Sequence, residues 1–286
     1  MAYKIGSVDN TGSEGYAHWQ MLLTIKAFAE ANGWTTLRYL NPTDPTQFRE
    51  LILQGGGLSG TAQIFIGFRT YQSVSADYYN LSVAGFTGYV PGNTFTAQPG
   101  YMESGIPAHN QRIDYWLTVN GQRIAVGLKV GTPVYEHGYA GFFLPYATPN
   151  QYPYPMLVGG MLDGVPGTRF SDTSHAMYVR GTRNNCRMRF VDGSWKTPDC
   201  YPWGTGFTNV IAGNSQLRDT GGNYALLPVL LRDGSPNLYG ELDGVYQISG
   251  FNNTVENTLT IGGVTYVVLQ DVARTGFTDY IALRLS

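Results

Sequence analysis

Tyr115–Val130 reads YWLTVNGQRIAVGLKV, and its pattern decides the fold class. Two runs rich in β-branched and aromatic residues flank Asn120-Gly121. That dipeptide favours a two-residue type I′ turn, because both of its members tolerate positive φ. Beyond the turn, Ile124, Val126, Leu128 and Val130 share one face, and Arg123, Ala125, Gly127 and Lys129 share the other. Such alternation marks a strand with one buried and one open face. An antiparallel hairpin with a half-buried second strand is therefore expected here.

Working outward, Ala62–Tyr71 (AQIFIGFRTY) alternates in the same way and reads as a strand, as do Asp77–Tyr89 and Trp34–Leu40. Phe48–Gln54 fits a short helix or a strand equally. One helix stands out. Tyr16–Ala31 (YAHWQMLLTIKAFAEA) has neither Gly nor Pro, and Gly33 follows as a stop. Its apolar residues Trp19, Met21, Leu22, Leu23, Ile25 and Phe28 wrap much of the circumference, which predicts burial on more than one side, against a sheet and against a neighbouring subunit.

Past Gly131 the character changes. Leu144–Met156 (LPYATPNQYPYPM) carries Pro145, Pro149, Pro153 and Pro155 among Tyr146, Tyr152 and Tyr154. Proline removes ladder donors, so this segment is expected to be an ordered crossing loop rather than a central strand. Further on, Tyr224–Leu231 is a strand interrupted by Pro228, hence at an edge or a bulge, and Leu242–Ser249 is another strand. Leu259–Leu269 is a hairpin around Gly262-Gly263, and Tyr280–Leu285 closes the chain as a strand. Short strands separated by Asp-Gly and Gly-Gly turns predict a sandwich or barrel. The expected fold is mainly β with one N-terminal helix: an α+β domain over 1–143, a Pro/Tyr-rich crossing segment over 144–160, and a β-sandwich or barrel-like domain over 161–286.

Composition narrows the function. Charged residues are 13% of the 286, about half the share usual in a globular domain. Gly (37) and Tyr (21) take their place, which suits burial against other protein. Net charge is −2, and the closest basic group, Arg180, Arg183, Arg187 and Arg189, is spread along the chain, so no nucleic-acid binding is expected. No run is apolar enough to span a bilayer and Met1–Asn10 has no signal-like apolar core, so cytosolic synthesis is expected, with Cys186 and Cys200 as free thiols.

No catalytic pattern emerges. Gly55-Gly56-Gly57-Leu58-Ser59-Gly60 matches G-x-G-x-x-G, but it runs into a strand where a dinucleotide site needs a helix. It is expected to be a turn where backbones approach closely. Asp172, Ser174 and His175 are adjacent in sequence, which is loop content rather than a triad assembled from distant residues. His18, His109, His137 and His175 lack metal-ligand spacing, and Glu103, Asp114, Glu136, Asp163 and Asp192 single out no glycosidase pair. No catalytic, cofactor or metal residue is nominated, and the chain is not expected to be an enzyme.

Four segments carry a resemblance: Arg49–Gln72 (RELILQGGGLSGTAQIFIGFRTYQ), Asp77–Tyr89 (DYYNLSVAGFTGY), Leu144–Gly160 (LPYATPNQYPYPMLVGG) and Gly240–Leu285. In these the chain resembles tailed-bacteriophage virion structural proteins of the head–tail gene region. The resemblance implies a virion component, at the neck or collar, tail or baseplate, with partners that are copies of itself and other head–tail or tail proteins. A symmetric ring or peripheral array is the expected assembly, made in the host bacterial cytoplasm. The alternative is a receptor- or carbohydrate-binding module at the tail tip or baseplate, with Trp116, Trp195 and Trp203 as stacking residues.

Overall fold

The computed structural model describes residues 1–170, 175–180, 184–203, 224–234 and 237–286. Strand β1 (Ala2–Asp9) leads to helix α1 (Ala17–Glu30) and then to an antiparallel meander. The meander comprises β2 (Thr35–Leu40), β3 (Glu50–Gly55), β4 (Ile64–Ser73), β5 (Tyr78–Phe86) and β6 (Met102–Pro107). Phe48–Gln54, which its pattern left open, is thus mostly strand: its Leu51 and Leu53 enter one core and Ile52 another, so both faces are used.

The decisive hairpin forms β7 (Arg112–Val119) and β8 (Arg123–Lys129), followed by β9 (Tyr135–Phe142). Next come β10 (Leu144–Pro145), β11 (Met156–Gly159), β12 (Cys186–Arg189) and β13 (Trp195–Lys196). A seven-stranded antiparallel sheet has the order β1-β7-β8-β9-β11-β12-β13, so it takes strands from both sides of residue 144. The last strands are β14 (Asp199–Tyr201), β15 (Leu227–Arg232), β16 (Leu238–Gln247), β17 (Thr258–Ile261), β18 (Val264–Gln270) and β19 (Tyr280–Arg284). They form a third sheet, β14-β15-β16-β19-β18-β17, with β10 added against β16. Pro228 sits beside a register shift in the β15–β16 pairing, one of the two places its ring was expected to tolerate.

The seven-stranded sheet is the middle layer. Leu117, Ile124, Val126 and Leu128 pack with Met21, Leu22 and Ile25 of α1 and with Leu51 and Ile66 of the meander. From the opposite face Trp116, Ala125, Tyr135 and Tyr139 meet Val245, Leu269 and Leu283 of the C-terminal sheet. Strand β8 is therefore buried on both faces up to Lys129, not on one. Its second face holds only small or paired residues: Arg123, Ala125 and Gly127, the last directly beneath Leu269.

The turn also differs from the expected one. Val119 pairs with Ile124, and the Asn120 N–H donates to the Arg123 carbonyl, so Gly121 and Gln122 occupy the turn centre. The Asn120 side-chain oxygen accepts the N–H groups of Gln122 and Arg123, a local bond that stabilises the shifted turn. Helix α1 starts without a side-chain cap, and the N–H groups of Ala17 and His18 instead bond the carbonyls of Asn110 and His109. It ends before Gly33, which adopts φ +88°. Its apolar face is spent inside the chain: Trp19, Met21, Leu22 and Ile25 are buried and Phe28 packs on the same core. Most of that face is thus covered by the chain's own sheets, while Leu23 and Phe28 stay half-buried.

Candidate contact surface

One network of ionisable side chains lies on the middle sheet and another on the meander. In the first, Glu136 on β9 faces the α1 side of the middle sheet and its carboxylate lies 3.1 Å from Nε2 of His175. Both residues are fully buried, and burial pushes the Glu136 carboxyl up to about 7, with the His175 bond pulling it back. Arg274 donates to the His175 carbonyl and to Asp271, and Asp271 accepts the Met177 N–H at 2.6 Å. The network ties segment 175–180 to the loop between β18 and β19. Asp172 and Ser174, which adjoin His175 in sequence, lie outside the described residues, as does Arg183.

The second network lies on the outer face of the meander. Glu103 accepts the hydroxyls of Tyr71, Tyr101 and Ser82 across adjacent strands. Glu50 lies 3.5 Å from Arg69 and 3.4 Å from Arg38, and burial raises its pKa against the pull of both arginines. Sequence spacing could not single out these residues, since Glu50 and Glu103 are far apart in the chain and meet only through strand order. Nearby, Arg49 stacks over Trp19 at 3.9 Å, and His18 approaches Gln72 at 3.2 Å. Burial pushes the His18 imidazole down to about 3.

Cys186 and Cys200 are buried free thiols, and the Cys186 hydrogen bond followed by burial raises the Cys200 pKa. Among the described residues no three His, Cys, Asp or Glu side chains converge as a metal site, and no helix is long and apolar enough to cross a membrane. The arginines go separate ways: Arg180 pairs with Asp271 and Asp279, Arg187 donates to Thr197, and Arg189 lies over the Tyr154 ring.

A groove of about 560 Å³ opens on this side of the molecule. One wall is the loop between β3 and β4, which carries the glycine run. Gly57 and Gly60 have φ of +72° and +76°, and the Gly57 N–H donates to the Gly121 carbonyl at the central hairpin tip. A Cβ on Gly121 would overlap the Gly57 carbonyl oxygen. The glycines thus serve close backbone approach between two loops, and β4 follows them, not a helix. The other wall is the Pro/Tyr-rich segment, represented by Pro145, Tyr154 and Pro155, with Phe142 beside it. Tyr152 is buried behind this wall, edge-on to Phe143, and its hydroxyl donates to the Arg189 carbonyl. Leu58 stands on the rim, 64% exposed.

Among the described residues no charged side chain lines this groove; its polar groups are hydroxyls and amides such as Ser59, Thr61 and Gln122. The proline-bearing wall has few N–H donors and a restricted backbone. Such a wall loses little entropy when covered, and its lack of charge matches the centre of a protein–protein interface.

The tryptophans do not form an exposed platform. Trp116 and Trp203 are buried, and the Trp203 indole donates to the Thr278 carbonyl at 2.8 Å. Trp195 is half-buried, with its indole bonded to the Gly100 carbonyl at 3.0 Å. No protein-family model and no curated protein matches the sequence.

Proposed function

We propose that this chain is a structural subunit of a tailed-phage virion, assembling as a symmetric ring or peripheral array at the neck, collar or tail. The observation that carries the proposal is the uncharged groove between the glycine-rich loop and the Pro/Tyr-rich segment. Both walls belong to segments through which the chain resembles virion proteins. The composition supports the same role, because a chain with 13% charged residues presents little of the ionic surface that keeps a lone protein dispersed. The subunit acts by contact: its occupant at the groove is another virion subunit, seated by apolar and amide contacts. A glycan-binding role finds less support, since Trp116 and Trp203 are enclosed by the core.

The test is particle association. Purified protein should co-sediment with virions or form rings in negative stain, and Leu58→Asp with Tyr154→Asp on the groove rim should abolish incorporation while leaving the folded monomer intact. A protein that stays monomeric and never associates with particles would overturn the proposal.

A further inference from the structure

β-Sheets usually protect their edges, because a free edge carries unpaired N–H and C=O groups ready to accept another strand. Most edges of the described sheets are short, broken or covered. At the far end of the middle sheet β13 has two residues, one of them the exposed Lys196. Strand β2 is broken by a register shift between Thr36 and Arg38, and Tyr89 bonds its Leu37 carbonyl. Strand β6 is covered where Met161 and Leu162 donate to Gly105. Strands β14 and β17 have three and four residues.

Strand β1 is the exception. Its eight residues pair with β7 without a shift, contain no proline, and have no strand on the other side among the described residues. The Asn10 N–H donates to Gln111, so alternate residues back to Ala2 bond β7, and Tyr3, Ile5 and Ser7 aim their backbone groups outward. The side chains of Tyr3 and Ile5 are 48% and 51% exposed, on the face shared with Trp116. Among the described residues, an eight-residue edge with exposed Tyr3 and Ile5 is thus left open, where the other edges are short, broken or covered.

We propose that β1 pairs antiparallel with β1 of a second copy across a twofold axis, joining two seven-stranded sheets into one. The strand's own sequence selects the occupant and the register. Outward-facing residues must pair with outward-facing residues, so Ile5 can lie opposite Ile5 of the second copy, with Tyr3 opposite Ser7. This places Lys4 opposite Gly6, where no side chain crowds it, and uses the whole strand. Sliding toward the N-terminus sets Lys4 against Lys4, a like-charge pair that opposes binding. Sliding the other way sets Ile5 against Ser7 and separates the apolar residues. In the centred register Tyr3 and Ile5 of both copies make one continuous apolar strip. The inference deepens the proposal that copies of this chain associate, by naming the seam.

The full-length protein tests it through Ile5→Cys. Opposed residues at the axis lie about 5.5 Å apart at Cα, within disulfide range. Mild oxidation should therefore cross-link Ile5→Cys into a covalent dimer, whereas Val74→Cys, on an exposed turn, should remain monomeric on denaturing gels. Ser7→Pro removes one outward N–H and no bond to β7, so it should weaken the dimer about a hundredfold by sedimentation velocity with the thermal melt unchanged. Ile5→Lys, with like charges at the axis, should do the same. If Ile5→Cys cross-links no better than Val74→Cys, or if both edge variants leave assembly intact, the seam is wrong. Virion association that survives both edge variants would sink this seam alone, and β1 dimers that never join virions would sink the virion role alone.

Discussion

Two of the described hairpins with glycine turns, at Gly262-Gly263 and at Asn120-Gly121, turn out differently. At Gly262-Gly263 the turn lies where local sequence puts it: Ile261 pairs with Val264, and the two glycines have φ of +58° and +80°. Thr258 and Thr260 of β17 stay exposed. At Asn120-Gly121 the turn slides by one residue, Gly121 avoids positive φ, and both faces of the hairpin disappear into cores. The same local chemistry gives a free hairpin at an edge and a docked one in the middle layer. What differs is the set of neighbours: Gly57 bonds Gly121, Trp34 donates to the Asn120 carbonyl, and Asp243 accepts from Asn120 and Gln122 beside Arg123.

The contrast can be broken most strongly at Arg123. Its side chain is fully buried, 3.7 Å from Asp243 and bonded to Thr118. Arg123→Leu leaves Asp243 without its cation and should cost about 3–5 kcal/mol in urea unfolding. No single change in the β17–β18 turn should approach that.

Acid comes next. His137 on β9 pairs beside β8 and is fully buried; burial pushes its imidazole down to about 4. The folded pKa lies below the unfolded one, so this stabilisation is present above about pH 6.5 and is lost as pH falls towards 4. The loss should reach about 3 kcal/mol and should vanish from the pH dependence of His137→Asn. Glu136 acts with the opposite sign: its raised pKa favours folding below about 4.5, and that contribution fades as pH rises through about 7. Comparing the His137→Asn and Glu136→Gln profiles by urea titration separates the two.

Gly121→Ala should cost about 1–3 kcal/mol by forcing the hairpin tip from Gly57, and the slowed exchange of the Gly57 amide should be lost with it. The smallest effect belongs to the free hairpin. Gly263→Ala puts a Cβ on a residue at φ +80° with no neighbour in reach, so it should cost only about 1 kcal/mol in thermal melts. Similar losses at Gly121 and Gly263 would mean that docking adds nothing to the central turn.

Strand positions were legible wherever alternation was clean, as at β4, β8 and β18, because period two is a property of the backbone alone. The helix was legible for the same local reason, and Gly33 marked its end. Glu136 and His175 were not legible as a pair, nor were Glu50 and Glu103, since strand order brings each set together. The groove was half legible: the glycine loop and the Pro/Tyr segment stood out by composition, but nothing local placed them face to face.

By itself the sequence determined a β-rich chain with one helix, its tight turns, and a surface poor in charge, because these depend on local backbone preference and on composition. Only the tertiary structure decided that the central hairpin is buried on both faces, that most of the helix's apolar side is used within the chain, and that among the described strands β1 is left as a long open edge. Those outcomes depend on which sheet stacks on which, and stacking is settled by contacts between residues far apart in the chain.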